Sequence, residues 1–395
     1  MITQAMLDTF AAEAAAIQHW VVTHRRALHR RPELSNQERD TQAYILAALE
    51  ELGIPCQTYP GFTAVVGLIQ GDRPGPTVAL RADMDALPLH EEATDLPFCS
   101  QNPGVMHACG HDAHMAIQLG AARLLAARRD DMPGAVKLLF EHAEETTGGA
   151  KDMIAQGCLE NPRVDAVLGL HITTKHPTGV FCTRPGVHSG SSDDIQITVR
   201  GRPSHGAYPQ RGVDALVMSA QVITALQTVV SRNTSPLDSA VLSLGIIHGG
   251  AAPNIICEEV RMEGTLRTLL PEVRQSCRDR IQTIVPQICA ALGGEGFVAL
   301  RDSYGPLVCD EAMTLRAMDL ARQALGPAHV VLADTPSLGV ESFGFFTQRC
   351  PGVYYDVGCG IGPALHTRDF RVHEDCLRTG VQMQATLAWD ILHTL

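Results

Sequence analysis

The sequence predicts an α/β protein: a mostly parallel sheet with helices on its faces, interrupted by a smaller inserted α+β domain. Short runs rich in Val, Leu and Ile alternate with segments of helical apolar spacing over 1–186, and this alternation resumes over 301–395, as in sheets covered by helices. Between them, 187–300 has the order strand, helix, two strands, helix, strand, which suits a ferredoxin-like open sandwich. We therefore expect one domain from 1–186 and 301–395 and an inserted domain over 187–300.

The first part of the chain begins with helices and then alternates. Helical apolar spacing covers 7–28 and 41–52, and stop signals follow at Pro32 and at Gly53-Ile54-Pro55. Apolar runs at 63–70, 76–80, 135–141 and 164–171 predict strands, whereas 110–127 and 148–156 predict helices. The carboxyl ends of strands in such a sheet are where α/β proteins hold ligands.

The inserted part is predicted from period-two alternation. In 194–200, Ile195, Ile197 and Val199 lie on one side of a half-exposed strand. Further strands are predicted at 240–248, 258–267 and 295–301, and helices at 212–230 and 271–292. This β-α-β-β-α-β order is the basis for the open sandwich.

Composition and charge exclude several classes of partner. The 395 residues are 45% hydrophobic and 19% charged, which suits two globular cores. A formal net charge of −12 opposes binding to nucleic acid or to an anionic membrane, and 5% aromatic content disfavours a base-stacking surface. The twelve cysteines include no C-x-x-C pair, and no uninterrupted apolar run reaches the length of a membrane span. We therefore expect a soluble, cytoplasmic protein with no nucleic-acid or membrane partner.

Five short segments concentrate side chains that can bind metal, each at a predicted strand end or in the loop after it. The first holds Asp83 and Asp85, which at i and i+2 lie on one side of a strand. Alone, this pair is explained equally well as a solvated turn. The second segment, 107–114, contains Cys109 and His111 around a glycine, and thiolate with imidazole favours Zn, Mn, Co or Ni over Mg or Ca.

The other three segments are weaker individually. Glu144 and Glu145 follow the strand at 135–141, where one carboxylate can bind a metal while the other deprotonates a water. By themselves they are better explained as an acidic helix N-terminus, and His171 and His366 as structural histidines. The shared position of all five segments at one edge of a sheet favours a joint metal site.

These motifs resemble those of the M20 metallopeptidase family, specifically the amidohydrolase branch with hippurate hydrolases and auxin–amino acid conjugate hydrolases. The matching strings follow the family order over nearly the whole chain, and MHACGHDAH is highly specific. The strings are RRALHRRPEL (25–34), RADMDALP (81–88), MHACGHDAH (106–114), AEE (143–145), GLH (169–171), SHGAYP (204–209), GGAAPNII (249–256), GTLRTL (264–269) and ALHT (364–367).

The resemblance implies a catalytic domain with two divalent metal ions and a lid domain through which the protein forms a homodimer. The implied ligands are Cys109, His111, Glu145, His171 and His366, and the Cys109 sulfur bridges the metals. Glu144 becomes the general base, and Asp85 orients a ligand imidazole. Asp83 stands where more distant relatives have a ligand histidine, and its role is left open.

The resemblance also implies roles for three residues of the lid. His205 is similar to the residue that reaches the partner subunit's active site and stabilises the oxyanion. Asn254 and Arg267 are similar to the pair that holds the substrate's α-carboxylate, which the planar guanidinium can bind through two hydrogen bonds. Without the resemblance, His205 is explained as a solvated loop residue and Arg267 as an ordinary surface charge.

The chain departs from the family pattern at four places, and we expect these to affect substrate choice more than activity. They are Glu141-His142 in place of a usual Gln-Pro, Pro203-Ser204 where Gly-Gly is common, Ser342 in place of Asp, and Ile172-Thr173-Thr174-Lys175 where an aromatic residue and prolines are common.

Hydrolysis of N-acyl-amino acids to a carboxylic acid and an amino acid is the leading functional hypothesis. A dipeptidase or a carbamoyl-amide hydrolase with the same machinery is the alternative. A catalytically silent binding protein is a further alternative, although no base or ligand of the motif is missing.

Overall fold

The computed structural model describes residues 2–92 and 96–395 and divides into two compact units. The first unit extends to His188 and includes Val308–Thr335 and Ser342–Leu395. The second consists of Ser189–Leu307 and Pro336–Glu341. Its chain therefore ends after Leu307 instead of after 300, and 336–341 joins it although the sequence placed that segment in the other domain.

The strands, in chain order, are β1 (Cys56–Thr58), β2 (Val65–Gln70), β3 (Arg73–Asp83), β4 (Pro133–Glu141), β5 (Ala166–Thr173), β6 (Phe181–Thr183), β7 (Gly186–Ser189), β8 (Ser191–Arg200), β9 (Ala240–Gly249), β10 (Glu259–Thr268), β11 (Glu295–Tyr304), β12 (Leu307–Cys309), β13 (Val330–Leu332) and β14 (Gly352–Gly358). The helices are α1 (Gln4–Ala16), α2 (Gln18–His29), α3 (Arg39–Glu51), α4 (His111–Ala126), α5 (Ala150–Ala155), α6 (Ala215–Asn233), α7 (Pro271–Ala291), α8 (Glu311–Leu325), α9 (Phe343–Thr347) and α10 (Asp375–Leu392).

The central sheet of the first unit has the strand order β1-β2-β4-β3-β5-β14-β6-β13. Its middle strands β4, β3, β5 and β14 pair in parallel, as do β6 and β13, whereas β1–β2, β2–β4 and β14–β6 are antiparallel. From Thr77 to Asp83 every residue of β3 is buried, because a central parallel strand is covered on both faces. The predicted mostly parallel sheet is confirmed, and the short strands β1, β6 and β13 extend it at its edges.

The prediction of one continuous helix over 7–28 is wrong. Ile17 interrupts the segment with φ −94° and ψ 3°, so α1 and α2 are separate helices. The apolar period misled because both helices cover the same core: Phe10 and Ala14 of α1 and Val21 and Leu28 of α2 are all buried in it. The pattern of buried residues therefore continues through the segment although the helix itself is broken at Ile17.

The second unit is an antiparallel sheet in the order β11-β8-β10-β9. Its core joins Ile195 and Ile197 of β8 to Val222 of α6 and Ile281 of α7, which confirms the predicted α+β insert. Among the described residues, α6 is the one helix that is long and apolar enough to pass a length-and-composition test for a membrane span. One face of α6 packs Val222 and Leu226 into this core, whereas Leu216 and Val217 on it are exposed, so within this unit it is a helix buried on one side. β7 and β12 form a separate two-stranded sheet.

Candidate metal centre

The candidate site lies where three neighbouring strands of the central sheet end. Asp83 is the last residue of β3, Glu141 the last of β4, and His171 lies near the end of β5. Gly110, in a left-handed conformation (φ 87°), turns the chain between Cys109 and the start of α4 at His111. The carboxyl edge of the sheet therefore gathers side chains from separate parts of the chain, as expected for α/β proteins.

The five predicted ligands lie together. The Cys109 sulfur is 3.3 Å from His171 Nε2 and 3.2 Å from His366 Nε2. Glu145 Oε1 is 3.2 Å from His366 Nε2 and 3.8 Å from His111 Nε2. The potential ligand atoms form two overlapping groups, Cys109 with His111 and His171, and Cys109 with Glu145 and His366, each within 4.8 Å. Cys109 thus belongs to both groups.

In His111 and His171 the Nδ1 atom is held by a backbone carbonyl, so the Nε2 atom faces this cluster. His111 Nδ1 donates to the carbonyl of Asp85 (2.8 Å), and His171 Nδ1 donates to the carbonyl of Ile172 (2.6 Å). The Nε2 atoms of His111 and His171 are therefore free of protons in the neutral rings. Within the described part of the chain, His111 Nε2 is buried and makes no hydrogen bond, and Glu145 Oε1 faces the Nε2 atoms of His366 and His111.

This donor set fits divalent metal ions. Buried polar atoms without hydrogen bonds are costly unless a ligand satisfies them. Burial raises the pKa of the Cys109 thiol well above its usual value, so a thiolate here requires a cation beside it. A thiolate, imidazoles and a carboxylate together suit borderline-soft metals. The residues that would hold the metals are the five named above.

Asp85 ties the predicted ligands together from behind. One of its oxygens accepts hydrogen bonds from the Ser35 hydroxyl (2.6 Å) and from the backbone N–H of Glu145 (3.0 Å). The other lies 3.3 Å from His111 Nδ1. Burial alone would raise the pKa of Asp85, but its contacts with His111 and Ser35 outweigh that effect and lower it. Asp85 is therefore placed to orient His111 as an ionised carboxylate.

Asp83 links the ligand cluster to a further buried network, because one of its oxygens lies 3.6 Å from His111 Nε2 and the other contacts His114. The N–H of Ile172 donates to His114 Nε2 (2.9 Å), so the neutral ring carries its proton on Nδ1 and donates it to Asp83 Oδ1 (2.6 Å). Burial lowers the pKa of His114 to about 4, which keeps the ring neutral. With both nitrogens engaged, His114 is a support for the strand end and has no nitrogen left for a metal.

Arg81 forms the centre of that network. It is fully buried and donates to Asp83 (2.7 Å), to Glu141 (2.6 Å) and to the Ser342 hydroxyl (2.7 Å). Burial would raise the pKa of Asp83, but Arg81 and the neighbouring histidines lower it well below its usual range. No supporting role was predicted for Arg81 or Glu141. The signal that could have found Arg81 is a charged residue inside an otherwise apolar buried strand, which requires ionic partners.

Glu144, the predicted general base, lies beside the ligand cluster. One of its oxygens is within 4.8 Å of ligand atoms of both His111 and Glu145, and its Oε1 accepts a hydrogen bond from the backbone N–H of Ser342 (3.0 Å). Only 8% of the residue is exposed. Ala143, just before it, has the left-handed φ of 51°, so the two adjacent glutamates acquire different neighbours.

A second buried network stands behind the first turn of α4. His29 donates or accepts through both ring nitrogens, with Asp112 (2.8 Å) and with Glu91 (3.0 Å). Arg25 adds an ion pair to Asp112 at 2.7 Å. Burial and Arg25 lower the pKa of His29, but the two carboxylates outweigh them and raise it. This network holds the helix turn that begins with His111.

The three predicted lid residues belong to the second unit. His205 and Asn254 are exposed there, and the N–H of Gly206 donates to the carbonyl of Asn254 (2.7 Å), so the two loops run side by side. Arg267 is a partly exposed residue of β10, in register with Ser192 and Val241. Their roles toward substrate stay predictions.

Comparison with known proteins identifies the family of this chain. The sequence profile of Peptidase family M20/M25/M40 matches residues 79–390. Thermostable carboxypeptidase 2 of Saccharolobus solfataricus is 37% identical over 97% of this chain and 98% of its own length. N-acetyl-L-cysteine deacetylase of Bacillus subtilis is 38% identical over 92% and 86% of the two chains. A crystal structure of a dinuclear metal binding peptidase of the M20 family from Bacillus subtilis superposes with a TM-score of 0.84, at 31% identity, covering 96% of this chain and all of the other. On the strength of a profile match over most of its length and of relatives that it matches almost end to end, the chain belongs to Peptidase family M20/M25/M40.

Proposed function

We propose that this protein is a dinuclear metal-dependent amidohydrolase that cleaves the amide bond of N-acyl-amino acids, giving a carboxylic acid and an amino acid. The observation that carries the proposal is the overlap of two potential ligand groups at Cys109, with the Glu144 carboxylate held beside them by the N–H of Ser342. Amide hydrolysis at neutral pH requires an activated water and a group that moves its proton. This cluster provides residues for both tasks.

Bound metals would supply a Lewis acid for the scissile carbonyl and make water a stronger nucleophile. The chain's own residues do the rest. Glu144 accepts the proton of the attacking water and later delivers it to the leaving amine nitrogen, so the amide C–N bond breaks as the new C–O bond completes the acid. The Ser342 N–H fixes one carboxylate oxygen of Glu144, and the other oxygen would carry the proton.

The acyl-amino acid substrate is favoured by the lid residues and by the relatives. Arg267 and Asn254 would bind the substrate α-carboxylate, and His205 would stabilise the oxyanion in the active site of the partner subunit, worth about 3 kcal/mol for such a donor. The deacetylase named above acts, by its name, on an N-acetylated amino acid. The carboxypeptidase relative instead favours the second candidate, a peptidase with the same machinery. Zn, Mn, Co and Ni are the metals that we propose for the site.

We also propose a cytoplasmic homodimer that forms through the second unit. β9 is an edge strand of its sheet, and Val241, Ile246 and Ile247 on it are 41–51% exposed. An exposed apolar edge of this length is suited to pairing with another strand. All twelve cysteines are free thiols, which supports a reducing compartment.

The test is a substrate panel on the protein reloaded with Zn, Mn, Co or Ni. The panel contains acetyl, benzoyl, indoleacetyl, carbamoyl and aminoacyl conjugates of amino acids, so it separates the acylase from a dipeptidase or a carbamoyl-amide hydrolase. We expect Glu144→Ala to keep two metals per subunit and to lose at least about a hundredfold in kcat. Glu50→Ala, at an exposed carboxylate on α3, is the control and keeps the wild-type rate. Near-normal turnover by Glu144→Ala would remove Glu144 from the mechanism. A metal-loaded wild type that is inert across the panel would support a silent binding protein.

A further inference from the structure

Glu38 is a buried carboxylate at the start of α3 whose hydrogen bonds go to other parts of the chain instead of to the helix. It immediately precedes α3, where a short polar side chain would cap the helix, but its side chain makes no capping hydrogen bond. The residue is fully buried. Its Oε1 instead accepts the backbone N–H of Ala143 (2.8 Å), and its Oε2 accepts the hydroxyl of Thr63 (2.5 Å).

Burial of this carboxylate is unfavourable in itself. Burial raises the pKa of Glu38, although the hydrogen bonds from Thr63 and Ala143 partly oppose the shift. Neither of these two partners is a cation, so the burial is not offset by an ion pair with them. A carboxylate kept inside at such a cost is better explained by what it holds than by a gain in stability.

What it holds is the turn that leads into the catalytic glutamates. Ala143 is buried and has φ 51°, a left-handed conformation that an alanine adopts only when its surroundings impose it. The carbonyl of Ala143 accepts the N–H groups of Thr147 and Gly148 (3.2 and 3.0 Å). Its N–H is held by Glu38 on the other side, so the peptide groups of this one residue are fixed in both directions. Glu144 follows directly.

We propose that Glu38 is a positioning residue for Glu144: its Oε1 acceptor holds the left-handed turn at Ala143 that sets Glu144 beside the metal ligands. The inference rests on the proposed role of Glu144 as base. Loss of the acceptor lets the turn relax and moves the Glu144 carboxylate, and displacements of about 1 Å at such a group cost about a hundredfold in rate. The ligand Glu145 keeps a second anchor, because its backbone N–H donates to Asp85 (3.0 Å), so we expect the metals to stay bound and substrate affinity to change little.

The test compares Glu38→Met, which keeps the volume and removes both acceptor oxygens, with Glu38→Gln, whose amide oxygen still accepts the Ala143 N–H. Glu33→Gln is the matched control, because Glu33 accepts the N–H groups of Asp40 and Thr41 at the same helix start without reaching the catalytic turn. For each variant the measurements are bound metal, kcat, KM, the pH profile of kcat, and hydrogen–deuterium exchange of the peptide that contains 141–149.

We expect Glu38→Met to keep two metals, to lose 30- to 100-fold in kcat with KM within about threefold, and to shift the acidic limb of the pH profile. Exchange in 141–149 should be at least tenfold faster. Glu38→Gln should lie within fivefold of wild type in every measurement, and Glu33→Gln should be unchanged. A wild-type rate with wild-type exchange in Glu38→Met overturns the proposal, and so does a hundredfold loss in Glu38→Gln, which stays decisive if Glu38→Met does not fold. Should the wild type cleave nothing in the substrate panel, the proposed function fails by itself, and slow exchange of 141–149 in Glu38→Met would still refute the positioning role.

Discussion

Removing the Glu141 carboxylate beside Arg81 should lower the free energy of unfolding, and placing a new carboxylate at position 342, on the other side of Arg81, should restore much of it. Arg81, Asp83 and Glu141 are fully buried, and the Ser342 hydroxyl lies 2.7 Å from the guanidinium. Glu141→Gln leaves the guanidinium with one carboxylate fewer, and loss of one partner of a buried pair costs about 3–5 kcal/mol. We take about 3 kcal/mol, because the amide oxygen still accepts one hydrogen bond. Ser342→Asp alone adds an unbalanced buried charge and should cost about 2 kcal/mol.

The double variant should restore the balance. If Asp at 342 replaces the charge lost at 141, the combined cost is about 2 kcal/mol instead of the additive 5, a coupling of about 3 kcal/mol, which is at the upper end for residues in one network. The measurement is urea unfolding of metal-free protein, followed by circular dichroism, so that metal binding does not contribute. Glu91→Gln combined with Ser342→Asp is the control, because Glu91 contacts His29 and not Arg81, and it should be additive. Additivity within 0.5 kcal/mol at the Arg81 pair as well would refute the reasoning.

Three further outcomes are expected. Gly110→Ala should weaken metal retention at least tenfold in a chelator competition, because a Cβ there strains a left-handed residue by about 1–2 kcal/mol and would lie 2.3 Å from Ile172 Cδ1. Gly104 is also left-handed but has open space around it, so Gly104→Ala is the control and should retain metal. Equal retention by both variants would contradict the expected strain. His29 has a raised pKa in the folded state, so its contribution to the free energy of unfolding is fully present below about pH 6.5 and is lost as pH rises through the folded-state pKa. Urea unfolding should therefore show a larger difference in stability between wild type and His29→Gln at pH 6 than at pH 8.5. A difference that does not change with pH would argue against a charged His29. Removal of the metals by a chelator should abolish hydrolysis and lower the melting temperature. The loss of stability should be about 2.7 kcal/mol if the metal had been present at a hundred times its Kd. An unchanged melting temperature in protein shown to be metal-free would count against a metal site formed by these buried donors.

The features that sequence predicted well are those that depend on local chemistry. Strand patterns and the inserted sandwich follow from apolar periodicity, and the ligand candidates follow from a dense motif around Cys109. The lone residues were harder: His366 lies 257 positions from Cys109 along the chain, yet its Nε2 is 3.2 Å from that sulfur. Nothing in the four letters ALHT conveys this distance. Only the ordered set of motifs made His366 a candidate, because the fold and not the local sequence brings it to the sheet edge.

Supporting residues escaped prediction because their partners are backbone groups or are distant in sequence. Glu38 accepts the N–H of Ala143, 105 positions away, and backbone groups carry no signature in a sequence. The break at Ile17 escaped for a related reason, since the apolar period reports which residues face the core and not whether the helix between them is continuous.

Two departures from the family pattern acquire a common physical meaning once Arg81 is placed. The family pattern implied by the resemblance has glutamine where this chain has Glu141, and aspartate where it has Ser342. These positions are far apart in the sequence and have no evident connection there, and Ser342 taken alone means only that a carboxylate is lost. In the structure both side chains contact the same buried guanidinium, Glu141 at 2.6 Å and Ser342 at 2.7 Å. The carboxylate missing on one side of Arg81 is therefore present on the other, and the cation keeps two carboxylate partners with Asp83. Because an under-compensated buried charge would be destabilising, we expect the carboxylate at 141 to offset the one missing at 342. Both side chains therefore contact the support of the strand ends, and their effect on substrate choice stays a prediction.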